Sequence, residues 1–279
     1  MGLDQIKVEV TDWWGNDRAA ANAAWASSTD AGKLASRSDD DVRRVVSGLV
    51  QLGHDTPKER VWMEFFMTMP IFCERQFDKY RMTVQYQDMR VEFLEAPFGR
   101  MGITQNELSG RYRTIPDRPY LLPWDVRGIL GKLGPAQIRA KYTQVSGPEE
   151  SEAFWNRVLE EQHERYQHEL RILKDAEVNG EITNAEYKRA REVLRGVLGT
   201  SYLTDMRIVC NLNAFEWIVN QRLAPDTQLE SRAVAYHMVK AVEQAGVAQV
   251  LVSGMKAKHG WGKWMAEVEE ALNDDVPVM

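Results

Sequence analysis

A chain of 279 residues, 44% hydrophobic and 27% charged, has the composition of a soluble globular protein with room for one large domain or two small ones. Its formal charge of −6 argues against a general nucleic-acid coat, while a local basic pocket for a phosphate remains compatible with it. There is no apolar run near the roughly 18 residues of a membrane span, and MGLDQIKVEV lacks the basic and apolar regions of a signal peptide, so the expectation is a cytoplasmic protein with a small partner, neither a nucleic-acid polymer nor a membrane.

VEVTDWW alternates and predicts an opening strand, followed by the alanine-rich helix NDRAAANAAWASS with Asn16 or Asp17 as N-cap. SDDDVRRVVSGLVQLGH places carboxylates in its first turn and apolar residues at Val42, Val45, Val46, Leu49, Val50 and Leu52, an amphipathic helix that stops at Gly53. After the turn DTPKE, the aromatic run RVWMEFFMTMPIF predicts a central strand broken near Pro70. The polar cluster Arg75, Asp78, Lys79, Tyr80 and Arg81 follows without a loop signal.

APFGRMG is turn-rich, and TIPDRPYLLPWD, with its three prolines, reads as a rigid extended connection. Residues 147–177 carry apolar and aromatic positions at helical spacing, and VNGEIT separates them from NAEYKRAREVLRGVL, which predicts a helical hairpin. DMRIVCNLNAFEWIVNQRL and QLESRAVAYHMVKAVEQAG predict two more helices with polar residues on otherwise buried faces. The resulting class is α+β, a strand-rich first third with a helical remainder.

Cys73 and Cys210 sit among apolar residues without ligand spacing and read as buried thiols. HDTPKE, residues 54–59, groups an imidazole, a hydroxyl and a carboxylate, and also reads simply as a helix stop and turn. In NELSGRY, Gly110 lets backbone approach a ligand while Ser109 and Arg111 offer phosphate donors. Arg195, Asn211 and Arg222 form a third set. On the helix reading, Asn211 and Arg222 share a face about three turns apart, which suits anion binding or an internal ion-pair network equally. The five histidines show no shared-metal spacing; His237 and His259 read as helix-surface and loop residues without a role.

Taken in order, GND before the alanine-rich helix, GHDTPKE, PIFCERQF, NELSGRY and the segment with Asn211 and Arg222 resemble the flavin-dependent thymidylate synthases, the ThyX family, over most of residues 5–245. The family signature, Arg-His-Arg followed seven residues later by a serine, has Lys79-Tyr80-Arg81 as its counterpart, and residues 82–102 resemble an insertion that moves the serine to Ser109. Trp25 stands where the family usually has arginine, Trp217 where asparagine is common and Asp226 where it has histidine.

The resemblance implies a single ThyX-like domain over 1–279, with 82–102 inserted and 248–279 as a C-terminal extension. It implies that His54, Thr56, Glu59, Lys79, Tyr80, Arg81 and Asn211 face FAD. Gln76, Glu107, Ser109, Gly110, Arg111, Arg195 and Arg222 would surround a pyrimidine deoxynucleotide, with Arg222, Ser109 and Arg81 closest to the chemistry. NADPH as reductant, methylenetetrahydrofolate as one-carbon donor and a homotetramer with shared pockets are the further implications. The expected reaction converts dUMP to dTMP. The departures at Lys79, Tyr80, Trp25 and Trp217 keep open a nucleotide hydroxymethylase, a dCMP methylase or a non-catalytic nucleotide-binding relative. The insertion reads as either a hairpin lid or a surface elaboration.

Overall fold

A computed structural model of the chain describes residues 3–26, 31–34, 36–78, 103–107, 148–194 and 198–274. Four strands form one antiparallel sheet: β1 (Lys7–Trp14), β2 (Trp62–Pro70), β3 (Ile103–Glu107) and β4 (Leu203–Asn211), in the order β1-β2-β4-β3. The helices are α1 (Asp17–Trp25), α2 (Ala31–Leu34), α3 (Asp39–Leu52), α4 (Ile71–Asp78), α5 (Pro148–Val178), α6 (Asn184–Leu194), α7 (Leu212–Arg222), α8 (Leu229–Ala245), α9 (Gln249–His259) and α10 (Trp261–Asp274). The α+β class holds. The sheet, however, is not confined to the first third, since β3 and β4 come from later segments.

The largest correction concerns DMRIVCN, expected to be helical and in fact the end of β4. Met67 pairs with Met206, Phe65 with Ile208 and Met63 with Cys210, so the inward residues of β2 and β4 face the same core. Alternation at Met206, Ile208 and Cys210 is the period-two pattern of a strand, and the apolar AFEWIV run that follows hid it by extending the apparent helix. The opposite face of the sheet is more open, with Glu64 and Arg207 forming an ion pair at 2.5 Å and Trp14 stacked on Trp62.

Local signals at the N-terminal side behave as expected. Asn16 caps α1 by accepting from the Ala19 N–H at 3.0 Å; at α3 the first-turn carboxylates are joined by a feature the sequence reading did not name, a reciprocal capping box of Ser38 with Asp41. The two hydrogen bonds from Ser38 hold the Asp41 carboxyl below the usual carboxylate range. Gly53 ends α3 in the left-handed conformation, φ 70°. α5 and α6 form the predicted hairpin, joined through Asn184 to Glu177 at 2.5 Å.

Gly15, between β1 and α1, has φ +86°, and a Cβ there would lie 2.2 Å from the Arg60 carbonyl oxygen. Gly15→Ala should therefore destabilise the protein by about 1–3 kcal/mol, through both the left-handed backbone and the displaced strand entry. Urea unfolding checks this: an unchanged midpoint at unchanged slope would show that the junction has room to relax.

Candidate active site

Helix α7 organises the polar residues of the core. Its N-cap is Asn211, whose side-chain carbonyl accepts from the Ala214 N–H at 2.8 Å, and its last residue is Arg222. Eleven residues at 1.5 Å each place the two ends roughly 16 Å apart along the axis. Asn211 and Arg222 thus stand about three turns apart on one helix, as expected, with Asn211 as its N-cap.

At the Arg222 end, two of the residues expected around a nucleotide, Gln76 and Arg222, meet. Arg222 Nη1 donates to Gln76 Oε1 at 3.0 Å and Nη2 to the Gln76 carbonyl at 3.4 Å. Ser231 Oγ donates to the same Gln76 Oε1 at 3.2 Å, and Gln76 Nε2 to Gln228 at 2.8 Å. α4 brings Gln76 here by leaving β2 directly after Pro70, its first amides bonded to the carbonyls of Tyr202 and Thr200. Glu107 closes edge strand β3 opposite Met206, itself paired with Met67, near the middle of β4.

A cleft of about 270 Å³ opens between the Gly53–Asp55 turn, α7 from Asn211 to Asn220 and the end of α9. Its α7 wall presents the amides of Asn211, Asn213 and Asn220, the Glu216 carboxylate and the Trp217 indole. Lys258 and His259 form the facing wall. His54 and Thr56 are exposed beside it and Glu59 is half-buried, while their neighbours Gly53 and Asp55 line the cleft.

Beneath the cleft lies a charged group that sequence reasoning missed. Lys58, 1% exposed, forms an ion pair with Glu216 Oε2 and a second with Asp55 Oδ1 at 2.9 Å. Glu216 Oε1 accepts from His259 Nε2 at 2.7 Å. A carboxylate held by an ammonium is ionised and can only accept, which puts the proton on Nε2 of His259. His259 thus ends a helix and belongs to the cleft, in place of the loop position without a role expected from sequence. The available signal was Glu216 itself, a lone carboxylate inside the apolar run AFEWIV.

Both cysteines are buried and free, and burial pushes each thiol up to about 12. Neither is a nucleophile at neutral pH. Among the described residues no group of three His, Cys, Asp or Glu side chains could hold a metal ion, and no helix is long and apolar enough to cross a membrane. Lys79, Tyr80, Arg81, residues 82–102, Ser109, Gly110, Arg111 and Arg195 lie outside the described residues.

The cleft fits a planar heteroaromatic ring. It offers amides for edge hydrogen bonds and an indole, and its volume accommodates the ring part of a flavin with the remainder outside. The helix cap engages one lone pair of the Asn211 side-chain carbonyl, and the amide N–H groups are the donors it offers such a ligand.

A family model described as thymidylate synthase complementing protein matches residues 9–245. The chain is 24% identical over 229 residues to the flavin-dependent thymidylate synthase of Streptomyces avermitilis, covering 82% of this chain and 74% of that one. It is 25% identical to the enzyme of the same name from Rickettsia bellii, covering 86% and 73%. A shorter match, 31% identical over 109 residues, links it to the Thermotoga neapolitana enzyme over 37% of this chain and 49% of that one, so there the chain spans about half the relative's length. Among solved structures, the UMP/dUMP methylase PolB from Streptomyces cacaoi, bound with 5-Br dUMP, is similar with a TM-score of 0.61 at 23% identity, covering 90% of this chain and 95% of that one.

Proposed function

The chain belongs to the thymidylate synthase complementing protein family, and on that premise we propose that it transfers a one-carbon unit from methylenetetrahydrofolate to carbon five of dUMP, giving dTMP, with FAD as cofactor and NADPH as reductant. The observation that carries this reading is α7 itself: a polar cleft of about 270 Å³ runs along it from Asn211 to Asn220, and a fixed Arg222–Gln76 pair stands at its C-terminal end. The relatives named above as flavin-dependent thymidylate synthases support the flavin, and PolB supports a uracil nucleotide.

Asn211, Asn213 and Trp217 would hold the flavin ring, with His54, Thr56, Glu59, Lys79, Tyr80 and Arg81 around it. When bound, the reduced flavin supplies the hydride that takes the transferred carbon to the methyl level. The chain's own contribution is binding and charge. Arg222, held by Gln76, would present its guanidinium to the nucleotide and stabilise negative charge on the pyrimidine carbonyl. Arg111 and Arg195 would hold the phosphate, with Ser109 and the Gly110 backbone donating close by and Glu107 orienting the ring.

Flavin and pyrimidine must meet for hydride transfer, and in a homotetramer the cleft of one copy would face the Arg222 end of another. Residues 1–279 would act as one domain in that assembly, with 82–102 and 248–279 as additions to the family core.

Incubating the purified chain with FAD, NADPH, methylenetetrahydrofolate and dUMP should give dTMP, read by mass spectrometry as a gain of one CH₂. Gain of an added oxygen as well would assign hydroxymethylation. UMP and dCMP run in parallel: UMP is included because PolB is a UMP/dUMP methylase. A preparation without a flavin spectrum and without product would overturn the catalytic reading.

A further inference from the structure

The family match ends at residue 245, yet the cleft does not end there. α9 and α10 follow, and they are built into the core. Asp17 of α1 accepts from the first amides of α9, Val250 N–H at 3.0 Å and Leu251 N–H at 2.9 Å. Gly254 packs so closely on Val50 of α3 that a Cβ would meet it at 3.3 Å. Trp261 is fully buried, edge-on to Phe215 of α7, and Arg232 of α8 pairs with Glu267 of α10 at 2.7 Å.

Two side chains of this pair act directly on the α7 wall of the cleft. His259 Nε2 holds Glu216 at 2.7 Å, and Trp261 Nε1 donates to Asn220 Oδ1 at 2.6 Å. The imidazole and the indole stack on each other, 5.8 Å between centroids and 19° between planes, which ties the two contacts into one unit. Lys258 adds a cation to the wall facing α7. Glu216 and Asn220 are one helical turn apart, so the unit sets the orientation of two hydrogen-bonding groups on one face.

We infer that the α9–α10 pair is a working wall of the cofactor cleft, with His259 as a positioning residue that orients Glu216 toward a bound planar nitrogen heterocycle. The inference rests on the flavin reading above. The ring is either isoalloxazine or adenine, since each is flat and offers donors and acceptors along its edge.

The test is equilibrium binding of FAD, FMN and ADP to the apo protein, residues 1–279, by calorimetry, without turnover. His259→Ala should weaken binding of the ring-bearing ligand about tenfold or more, the effect of losing one charge-assisted hydrogen bond. His259→Gln should restore most of it, because the amide nitrogen can again donate to Glu216. Weakening confined to FAD and FMN assigns isoalloxazine to the cleft, and weakening confined to FAD and ADP assigns adenine; either supports the proposal. Equal affinities in wild type and His259→Ala would overturn it while leaving the flavin reading intact. Failure of the Gln variant to restore affinity, with its thermal midpoint restored, would overturn the positioning role. If wild type binds neither FAD nor FMN, the flavin reading falls and this proposal falls with it.

Discussion

Glu216→Leu is expected to lower the unfolding free energy by about 3–5 kcal/mol, the cost of leaving a buried charge without its main partner. Glu216 is the hub of the group: one oxygen faces Lys58 and the other His259. Removing it leaves the Lys58 ammonium, 1% exposed, with only Asp55 at 2.9 Å, and that carboxylate is 46% exposed and therefore partly spent on water. Lys58→Met is expected to cost less, because the Glu216 carboxylate keeps His259. The double variant, Lys58→Met with Glu216→Leu, should recover much of the loss, since two apolar side chains of similar length fill the same space without an orphaned charge. Urea unfolding of the three variants gives the coupling. A Glu216→Leu cost below about 1 kcal/mol would mean that water reaches the pair and screens it as it does surface ion pairs.

Arg222→Ala is expected to reduce kcat/KM for the nucleotide by about 100-fold or more, from the loss of two or more charge-assisted hydrogen bonds at about 1.5–3 kcal/mol each. Arg222→Lys should recover little, because an ammonium cannot hold Gln76 and a nucleotide carbonyl in the fixed directions of a guanidinium fork. Gln76→Leu should fall between, with a larger effect on kcat than on KM if Gln76 serves only to aim the arginine: Arg222 would still bind, but point less well. The stability of Gln76→Leu is the control, since Ser231 also donates to Gln76. Unchanged kcat/KM in Arg222→Ala would remove Arg222 from the nucleotide site and leave the pair a helix-packing feature between α4 and α7.

The active-site reading gains from where the charges were placed. The Arg222 end joins two groups expected from motif alone, Gln76 and Arg222. At the cleft end, the expected Asn211 is joined by Lys58, Glu216 and His259, three residues from distant parts of the chain that no motif connects. Lys58 lies inside the recognised segment GHDTPKE, but its neighbours there read as a turn, and a lysine in a turn is ordinarily solvated. Its burial follows from α7 and the adjoining helices closing over it, which local sequence does not contain.

Local chemistry was legible wherever the decisive interaction is close in sequence. Asn16 and Ser38 cap helices three residues away, Gly53 stops one, and Pro70 ends the strand it sits in; each acts through its own backbone neighbourhood and can be read from residue type. The order of motifs likewise identified the family before any geometry was available. DMRIVCN could not be read this way. Its alternating pattern merges into an apolar helix, and only pairing with β2, some 140 residues away in sequence, decides that it is a strand. The same holds for His259, whose role depends on α9 docking through Asp17 and on a carboxylate 43 residues away. Capping and turn formation are short-range and written in neighbouring residues, whereas a buried ion pair or a shared sheet edge exists only when desolvation and packing bring remote segments together, and that is decided by the tertiary structure.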